Sequence, residues 1–587
     1  MNHAAVFHHA GGHYCYPKNQ NELIINLKTG YEVERVWLVS GDPFDAGIAG
    51  GAEKWTGTTE EIFFKKDLKD QRWWTTTVKP PYKRLKYYFI LKAEGEYHYY
   101  FENGFLTKEQ MKEEGRMLQY FNCPWMNESD ISCTPEWVQH TVWYQIFPER
   151  FCNGNPKRNR PDTKSWECRP VTNKEFFGGD LEGIISKLDY LKNLGITGIY
   201  LTPIFKSPSA HKYDTTDYYQ IDETFGDRRV FKLLVEQAHR HGIRVMIDMV
   251  FNHCGKLFPR WQDVVEKGPE SPYYDWFMVN QWPFPKEEKS TRDKRFYSFA
   301  FMSSMPKFNT NNPEVVEYLN DICTYWVNEY DVDGLRFDVG NEVSHTFLRT
   351  LRSRLKKLKP DIYLLGEIWH DASAWLDGTQ YDAVMNYPLT ESINDFWLND
   401  HMTRQDFAYM INRSYTMYRE QNNQVLFNLL DSHDTNRLFT RTGENMDAFL
   451  QQLTVLFTMP GSPCIYYGTE IAMPGGHDPD CRRCMPWDKI ENGDYELSMK
   501  MVRSLIHIRK NYSCCISPYF HFPAVDYDPR VIVYEKLSGF GGKNVIILNC
   551  SEEAIRVDRE NMIFSWKCRD GVMEPGGIAI TYTDKIR

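Results

Sequence analysis

The feature that most limits the fold of this 587-residue chain is a repeated alternation of short apolar runs with amphipathic segments across residues 135–505. Short apolar runs are typical of buried strands, and the segments between them have the 3.6-residue period of helices. The strand candidates number eight and lie at 142–147, 198–202, 244–248, 334–338, 363–367, 383–386, 425–430 and 463–467. Eight strand–helix units in succession predict a (β/α)8 TIM barrel, because that fold closes its sheet with eight parallel strands.

Both flanking regions of the chain predict antiparallel β structure. Residues 1–122 contain short alternating runs, for example 22–27, 32–39 and 85–91, separated by Gly, Asp, Asn and Pro. Short strands at regular spacing are typical of a β-sandwich. The pattern returns over residues 506–587. We therefore expect an N-terminal β-sandwich domain and a C-terminal antiparallel β-sandwich domain.

One connection in the barrel region is unusually long. Between the third and fourth strand candidates the chain runs for roughly 80 residues that are rich in Trp, Phe, Pro and Lys. Connections longer than about 15 residues without regular structure are uncommon and usually functional. The sequence therefore predicts an α/β barrel over 135–505 with an inserted subdomain at about 254–310.

Charge and apolar patterning exclude several classes of partner. The formal net charge at pH 7 is −10, which argues against nucleic acid and anionic membranes. No window approaches the length of about 18 apolar residues that a transmembrane helix needs, and the N-terminal residues lack the apolar segment of a secretory signal. We expect a cytoplasmic protein that binds neither nucleic acid nor membrane and acts on a neutral substrate.

The cysteines do not indicate a metal or redox site. The 14 cysteines are scattered, and most lie near apolar runs, which favours reduced thiols over a disulfide framework. Cys481 and Cys484 form a CxxC pair, but no second Cys/His pair at zinc spacing accompanies it. We expect neither a metal nor a redox role for this pair.

Four carboxylates mark the expected active face of the barrel. The active sites of TIM barrels lie at the carboxyl ends of the strands. Asp248, Asp338 and Glu367 end the third, fourth and fifth strand candidates, and Asp434 follows the seventh. A single carboxylate at a strand end is more often a helix cap or an ion-pair partner. Four of them at one mouth favour acid–base chemistry.

Two of these carboxylates have the neighbours expected of a glycosidase pair. Arg336 and Asp338 lie two apart on one strand and so on one face, and an arginine favours the ionised form of a carboxylate beside it. Glu367 follows an apolar run, and apolar surroundings favour a protonated carboxyl. An ionised nucleophile and a protonated acid on adjacent strands are the two parts of a retaining glycosidase. The alternative for Arg336 and Asp338 is a buried structural ion pair.

Four short segments around these carboxylates carry a family resemblance. They read Asp-Met-Val-Phe-Asn-His at 248–253, Gly-Leu-Arg-Phe-Asp-Val-Gly-Asn-Glu at 334–342, Gly-Glu-Ile-Trp-His at 366–370 and Leu-Asp-Ser-His-Asp at 430–434. In order and spacing they resemble the four signature segments of the α-amylase family, glycoside hydrolase family 13. The resemblance spans the whole barrel and, more loosely, both flanking regions.

The resemblance implies roles for individual residues. Asp338 would be the nucleophile, Glu367 the acid/base, and Asp434 a third carboxylate that grips the sugar hydroxyls. The substrate-binding residues that it implies are His211, Tyr213, His253, Arg336 and His433. Each of these histidines would otherwise be interpreted as a structural residue, and only its motif context points to the site.

A fifth segment resembles one subgroup of the family. Met-Pro-Lys-Phe-Asn at 305–309 is similar to the M-P-K-L-N segment of the neopullulanase, cyclomaltodextrinase and maltogenic amylase group. In that group the tryptophan after the acid, here Trp369, lines the acceptor side of the cleft. Asp478 and Arg482 match residues that limit the donor side.

Together these matches imply a function. The chain is expected to be a retaining α-glycosidase that hydrolyses α-1,4-glucosidic bonds of cyclodextrins, pullulan and short maltodextrins through a covalent glycosyl-enzyme. Its partner would be a neutral α-glucan oligosaccharide, and a homodimer would form through residues 1–122, which resemble the group's starch-binding and dimerisation module. Three alternatives stay open: dominant transfer to a sugar acceptor, an amylase that acts mainly on starch, and an inactive amylase fold. The retained Asp338, Glu367 and Asp434 argue against the last.

This chemistry requires no cofactor, but the resemblance brings in a structural Ca²⁺. The residues that match a calcium-binding loop of some relatives are Asn153, Asn155, Asn159, Gly178 and Asp180. Calcium prefers several carboxylates. This loop offers mostly amides and contains Arg158.

Overall fold

The computed structural model describes residues 1–47, 55–113, 118–285, 290–539 and 541–584. The chain divides into two compact units. The first consists of Met1–Cys133, Leu376–Gly378 and Asn399–Asn423, and the second holds the remaining described residues. Among the residues described, no helix is long and apolar enough to cross a membrane.

An eight-stranded parallel sheet forms the centre of the second unit and confirms the predicted barrel. Its strands, numbered β1 to β8 in chain order, are Trp143–Ile146, Gly198–Leu201, Arg244–Met249, Gly334–Phe337, Tyr363–Gly366, Ala383–Val384, Phe427–Asn428 and Ser462–Tyr466. Hydrogen bonds join them in the order β6-β5-β4-β3-β2-β1-β8-β7. A parallel bridge between Met385 and Phe427 brings the two edge strands together.

The barrel strands are buried on both faces, which explains why they appear in the sequence as continuous apolar runs. Every residue of β2, β4 and β5 is buried. Leu201, Leu335 and Leu365 are 0% exposed. Burial of each such side chain stabilises the fold by roughly 1.5–3 kcal/mol.

Helices follow most of the barrel strands. They are Pro148–Phe151, Leu181–Ser186 and Leu188–Leu194 after β1, Arg228–Arg240 after β2, Pro313–Tyr330 after β3, His345–Leu358 after β4, Tyr387–Leu398 after β6, Leu438–Arg441 and Met446–Thr458 after β7, and Trp487–Glu491, Glu496–Asn511 and Ser513–Ile516 after β8. Residues 367–382, all of which are described, contain no helix. The connection from β5 to β6 therefore departs from the regular alternation that the sequence predicted.

The helix Arg228–Arg240 shows why these segments form where they do. The side chain of Asp227 accepts the backbone N–H groups of Arg229 and Val230 and so caps the first turn. The buried side chains of this helix are Phe231, Leu234, Val235 and Ala238. This i, i+3, i+4, i+7 spacing gives one apolar stripe that packs toward the sheet.

Apart from the helix Pro313–Tyr330, the described residues of the long connection from β3 to β4 contain little regular structure. A second helix, Pro259–Lys267, is followed by short turns and by isolated bridges such as that between Phe277 and Phe308. Aromatic packing stabilises the segment, since the ring of Trp261 lies 4.9 Å from the rings of both Phe277 and Phe296.

Two antiparallel sheets in the first unit confirm the predicted N-terminal β-sandwich. One contains, in order, Cys15–Pro17, Leu23–Thr29, Arg72–Val78 and Phe64–Asp67. The other contains Thr58–Ile62, Val33–Gly41, Leu85–Ala93, Glu96–Phe101 and Gly104–Leu106, with Phe121–Cys123 also paired to Leu85–Ala93. Leu27, Leu38 and Phe89 belong to a single core formed by both sheets.

Two helices from the middle of the chain also belong to the first unit. They are Arg404–Ser414 and Glu420–Asn423. The amide of Asn412 donates to the backbone oxygen of Asp67 at 2.8 Å, and the N–H of Glu420 donates to the hydroxyl of Tyr16 at 3.0 Å.

The C-terminal region is antiparallel, as predicted, but its described strands share one six-stranded sheet. The strands are Phe520–His521, Val531–Leu537, Lys543–Asn549, Ile555–Arg556, Met562–Arg569 and Val572–Thr583. Val572–Thr583 is long enough to pair with three other strands along its length. It passes through Gly576, whose φ of 79° is readily adopted only by glycine.

Candidate active site

The carboxyl ends of β3, β4 and β5 bring three of the predicted residues together. Asp248 pairs with Arg336 in the parallel register of β3 and β4. Because β4 and β5 are also neighbours, Asp338 and Glu367 follow adjacent strand ends. The two acidic residues are 7% and 6% exposed. The sheet topology alone therefore places both carboxyls at one mouth of the barrel.

Arg336 is the centre of a buried ion cluster. Its Nη1 lies 2.9 Å from both carboxylate oxygens of Asp248 and 3.0 Å from Oδ1 of Asp338. Its Nη2 lies 2.9 Å from Oε2 of Glu367. One fully buried guanidinium thus faces three carboxylates. These ion pairs compensate the buried charge of Arg336 and hold Asp338 and Glu367 beside the same guanidinium.

Burial raises the pKa of Asp338 well above its usual range; Arg336 opposes this shift, and the nearby Glu367 adds to it. Carboxyls that crowd one buried site share protons, so the cluster holds a proton more readily than isolated carboxylates do. The sequence-based expectation that Arg336 keeps Asp338 ionised left out this desolvation. The direction of the shift is therefore opposite to the one expected.

The surroundings of Glu367 are more polar than its apolar sequence neighbours suggest. Besides the contact with Arg336, the backbone N–H of Val339 donates to Oε2 at 2.9 Å, and Nε1 of Trp369 donates to Oε1 at 3.2 Å. Val339 has a φ of 48°, a left-handed conformation that β-branched residues rarely adopt. The turn after Asp338 therefore stores strain and aims an N–H at Glu367.

Tyr213 contacts both Asp248, at the end of β3, and His433, in the loop after β7. Its hydroxyl lies 3.1 Å from Oδ2 of Asp248 and 2.6 Å from Nε2 of His433, and the two rings stack with planes 3° apart. The amide nitrogen of Gln145 lies 2.7 Å from Nδ1 of His433, so Nδ1 accepts and the imidazole proton lies on Nε2. The same Nε2 is 3.0 Å from Oδ2 of Asp434.

The three predicted histidines are neutral imidazoles, of which His253 and His433 are buried and His211 is half-buried. Burial lowers the pKa of His433 well below its ordinary value, that of His253 to about 3, and that of His211 as well. A neutral imidazole has one donor and one acceptor nitrogen. These side chains therefore suit hydrogen bonds to uncharged hydroxyl groups.

A cavity of about 450 Å³ collects most of the predicted site residues. Those that line it are His211, Tyr213, His253, Asp338, Glu367, Trp369, Asp434, Asp478 and Arg482. Arg336 and His433 contact these residues from behind the lining. The grouping brings all three predicted catalytic carboxylates to one space.

Other lining residues were missed as site residues by the sequence argument. They are Asn173, Phe299, Met302, Met305, Val339 and Asn341. Met305, Val339 and Asn341 lie inside the motifs at 305–309 and 334–342, which could have pointed to them. Asn173 lies in no motif and gave no signal.

Trp369 offers an open aromatic surface beside Glu367. One face of its ring stacks on Tyr387, with centroids 3.6 Å apart and planes 8° apart. The residue is nevertheless 45% exposed. Sugar rings present C–H faces that pack on aromatic rings, so the other face is suited to a glucose unit.

Arg482 holds the third carboxylate of the site. Its Nη2 donates to Oδ1 of Asp434 at 3.2 Å, and its Nε donates to the backbone oxygen of His433 at 2.9 Å. Its Nη1 lies 2.9 Å from Oδ1 of Asp478. The two residues predicted to limit the donor side are therefore paired, and their guanidinium also positions Asp434.

Asp180, the carboxylate of the predicted calcium loop, already accepts hydrogen bonds from the protein backbone. Asp180 is the N-cap of the helix that begins at Leu181, and it accepts the backbone N–H groups of Gly154, Asn155 and Gly183 at 3.1, 2.7 and 2.6 Å. These bonds involve both of its carboxylate oxygens. A hard cation would have to compete with them.

The other members of this loop also favour a structure without an ion. Asn159 Oδ1 accepts from the amide of Asn153 at 3.1 Å, while Arg158 pairs with Glu182 at 2.9 Å. Oδ1 of Asn153 is buried without a hydrogen-bond partner, but calcium takes about six to eight oxygen ligands. Gly178 cannot be replaced by a larger residue there, since a Cβ atom on it would lie 2.4 Å from Asn159 Oδ1.

These residues fit a calcium ion poorly. Within the described part of the chain, no group of three or more His, Cys, Asp or Glu side chains is placed to hold a metal. The chemistry available to Asp338 and Glu367 requires no metal ion. The calcium site stays a prediction, which metal analysis of the purified protein would test.

Comparison with known proteins identifies the family. Residues 145–515 match the model of the alpha amylase catalytic domain, and residues 1–127 match that of the alpha amylase N-terminal Ig-like domain. The chain belongs to the α-amylase family.

Full-length relatives place the chain more closely within this family. It is 44% identical over 558 residues to a cyclomaltodextrinase of Geobacillus thermopakistaniensis, a match that covers 95% of this chain and 92% of the relative. It is 46% identical over 509 residues to a maltogenic alpha-amylase of Bacillus acidopullulyticus, a match that covers 86% of this chain and 84% of the relative. A solved cyclomaltodextrinase structure superposes with a TM-score of 0.88 at 34% identity and covers 100% of this chain and 98% of that one. The chain is thus a cyclomaltodextrinase-like glycoside hydrolase, and the family implies a retaining mechanism on α-glucosidic bonds.

Proposed function

We propose that this enzyme cleaves the α-1,4 bonds of cyclodextrins, pullulan and short maltodextrins in preference to starch. The observation that carries the proposal is the pair Asp338 and Glu367, joined through Arg336, inside a cavity whose wall includes the Asp478–Arg482 pair. The Asp478–Arg482 pair in the cavity wall would limit the number of glucose units on the donor side, which would favour short or cyclic glucans over long open chains. The names of the relatives support the same substrate class.

The mechanism follows the two-step course of a retaining glycosidase. Glu367 gives its proton to the glycosidic oxygen while an oxygen of Asp338 attacks the anomeric carbon, so the glycosidic bond breaks as an ester bond to Asp338 forms. Glu367, now ionised, takes a proton from water, and that water attacks the anomeric carbon and releases Asp338. Two inversions at one carbon leave the product in the α configuration.

The geometry supports these roles. Arg336 contacts both carboxyls, so it stabilises the ionised form of either one as the proton moves. Nε1 of Trp369 and the N–H of Val339 hold the Glu367 carboxyl in one orientation. Asp434, held by Arg482, would accept hydrogen bonds from the hydroxyls of the reacting glucose.

Transfer to a sugar acceptor is the second candidate function. It uses the same glycosyl-enzyme, but an acceptor hydroxyl replaces water. The half-exposed ring of Trp369 next to Glu367 favours it, because an aromatic surface there would hold an acceptor glucose in place. The yield of oligosaccharides longer than the substrate measures this activity.

We also propose a cytoplasmic homodimer. A relative from Bacillus subtilis, 38% identical over 577 residues, is named an intracellular maltogenic amylase, which supports the location. The dimer would form through residues 1–122, which lie within the matched N-terminal domain. Sedimentation of the purified chain would give twice the monomer mass of 69.4 kDa, and a monomer at micromolar concentration would contradict this part.

The substrate preference is tested by comparing initial rates on β-cyclodextrin, pullulan and soluble starch. We expect kcat/KM on β-cyclodextrin to exceed that on starch by at least about tenfold, a difference of about 1.4 kcal/mol in transition-state binding. A preparation of Asp338→Asn made in the same way controls for contaminating amylases. Faster hydrolysis of starch would contradict the narrow-site proposal.

A further inference from the structure

Asn173 contacts the Asp478–Arg482 pair that lines one side of the cavity. Its Oδ1 accepts from Nη1 of Arg482 at 3.1 Å, and the same Nη1 lies 2.9 Å from Oδ1 of Asp478. Asn173 is 309 positions from Arg482 in the chain, so this contact joins the loop after β1 to the loop after β8. Asn173 is itself exposed and lines the cavity.

The loop that carries Asn173 is firmly anchored. The buried guanidinium of Arg150 donates to the backbone oxygens of Glu175 at 3.1 Å and of Arg482 at 3.0 Å. The side chain of Glu175 accepts the N–H of Thr172 at 2.8 Å. Arg150 therefore holds both loops that meet at Asn173. Its hydrogen bonds fix the position of the contact between Asn173 and Arg482.

The side-chain amide retains unused hydrogen-bonding capacity. An asparagine amide has two N–H donors and two acceptor lone pairs. Arg482 uses one lone pair of Oδ1. An acceptor lone pair and an N–H donor remain, which matches the donor-and-acceptor character of a sugar hydroxyl.

The position of this amide relative to the reaction centre follows from Asp434. Arg482 links Asn173 to Asp434, the carboxylate assigned to the reacting glucose, whereas Trp369 is bonded to Glu367 on the leaving-group side. We propose that Asn173 is a specificity-determining residue that binds the donor glucose next to the reacting one and closes the donor side beyond it. This inference rests on the proposed function, since it assumes that Asp434 grips the reacting sugar.

The test compares maltotriose with maltose as substrates of the full-length enzyme and of Asn173→Ala. Maltotriose places a second glucose on the donor side, while maltose occupies only the reacting and leaving positions. We expect kcat/KM on maltotriose to fall about tenfold in Asn173→Ala, the loss typical of one hydrogen bond in a partly buried site, with kcat/KM on maltose changed less than about twofold. Reducing-end-labelled maltoheptaose should at the same time release a larger share of fragments longer than maltose from its unlabelled end.

Lys174→Ala is the matched control. Lys174 is the exposed neighbour in the same loop and does not line the cavity, so we expect its ratio of the two kcat/KM values to equal that of the wild type. An equal fall on both substrates in Asn173→Ala would mean that the residue only braces the loop, and unchanged kcat/KM values on both substrates would mean that it does not contact sugar; either overturns the inference. A wild-type enzyme that leaves both sugars and β-cyclodextrin intact would instead overturn the proposed function.

Discussion

Asp338→Asn should lower kcat on β-cyclodextrin by about 10⁴-fold or more. The variant removes the oxygen nucleophile but keeps the shape of the side chain, and loss of a residue that forms the covalent intermediate costs rates of this order. The measurement is the initial rate of reducing-sugar release at saturating substrate.

The fold should survive this change. Arg336 keeps its contacts with Asp248 and Glu367 when the charge of Asp338 is removed, so we expect an unchanged circular dichroism spectrum. Asp570→Asn is a matched control, because this side chain is 91% exposed and its partner, Arg559, lies at the surface. The control should retain wild-type kcat. An Asp338→Asn enzyme with more than about a tenth of the wild-type kcat would remove Asp338 from the nucleophile role.

Glu367→Gln should lower kcat on β-cyclodextrin by about 10²- to 10⁴-fold, the usual contribution of general acid–base catalysis. The loss should depend on the leaving group, because a glutamine cannot protonate the glycosidic oxygen. With α-maltosyl fluoride, whose leaving group needs no proton, we expect the first step to slow by less than about tenfold. Pre-steady-state release of fluoride measures that step.

Azide provides a second readout for the same variant. An azide ion attacks the glycosyl-enzyme without a general base, so it should accelerate turnover of α-maltosyl fluoride by Glu367→Gln and give the α-glycosyl azide. The hydrogen bonds from Trp369 and Val339 go to different carboxylate oxygens, so the single glutamine oxygen can keep one of them. The side chain keeps its size, and the cavity is expected to keep its shape. Equal losses on fluoride and cyclodextrin, with no azide effect, would point to a structural role for Glu367.

Much of the fold could be predicted because the barrel strands are buried on both faces. The runs that became β1 to β5 were found nearly at their observed bounds, since continuous apolar stretches are a strong signal. The strands Ala383–Val384 and Phe427–Asn428 are only two residues long in the structure, whereas the apolar runs around them are longer. The apolar run marks burial, but the length of pairing depends on the neighbouring strands.

The departures from the predicted fold depend on tertiary structure. No local pattern in residues 367–382 marks the absence of a helix, and the connection simply follows the strand end that carries Glu367. The helix Arg404–Ser414 has ordinary helical periodicity, but its membership of the first unit rests on contacts such as that of Asn412 with Asp67. Sequence periodicity predicts the element and not its partner.

The site residues that follow barrel strands could be predicted from the sequence. Asp338, Glu367 and Asp434 follow apolar runs, so the barrel geometry alone brings them together. The protonation state of Asp338 could not be predicted in the same way, because burial raises its pKa against the effect of Arg336 and the sequence does not show burial at a strand end. Asn173 could not be predicted from the sequence, since its importance comes from its contact with Arg482, which lies 309 positions away in the chain.

The central claim, a double displacement between Asp338 and Glu367, is tested most directly by the anomer that the enzyme releases first. Proton NMR during the first minutes of maltotriose or β-cyclodextrin hydrolysis distinguishes the α and β reducing ends before they equilibrate in water. The account predicts that the α anomer appears first and the β anomer follows only by mutarotation. Initial release of the β anomer would mean a single displacement by water and would contradict the covalent role of Asp338.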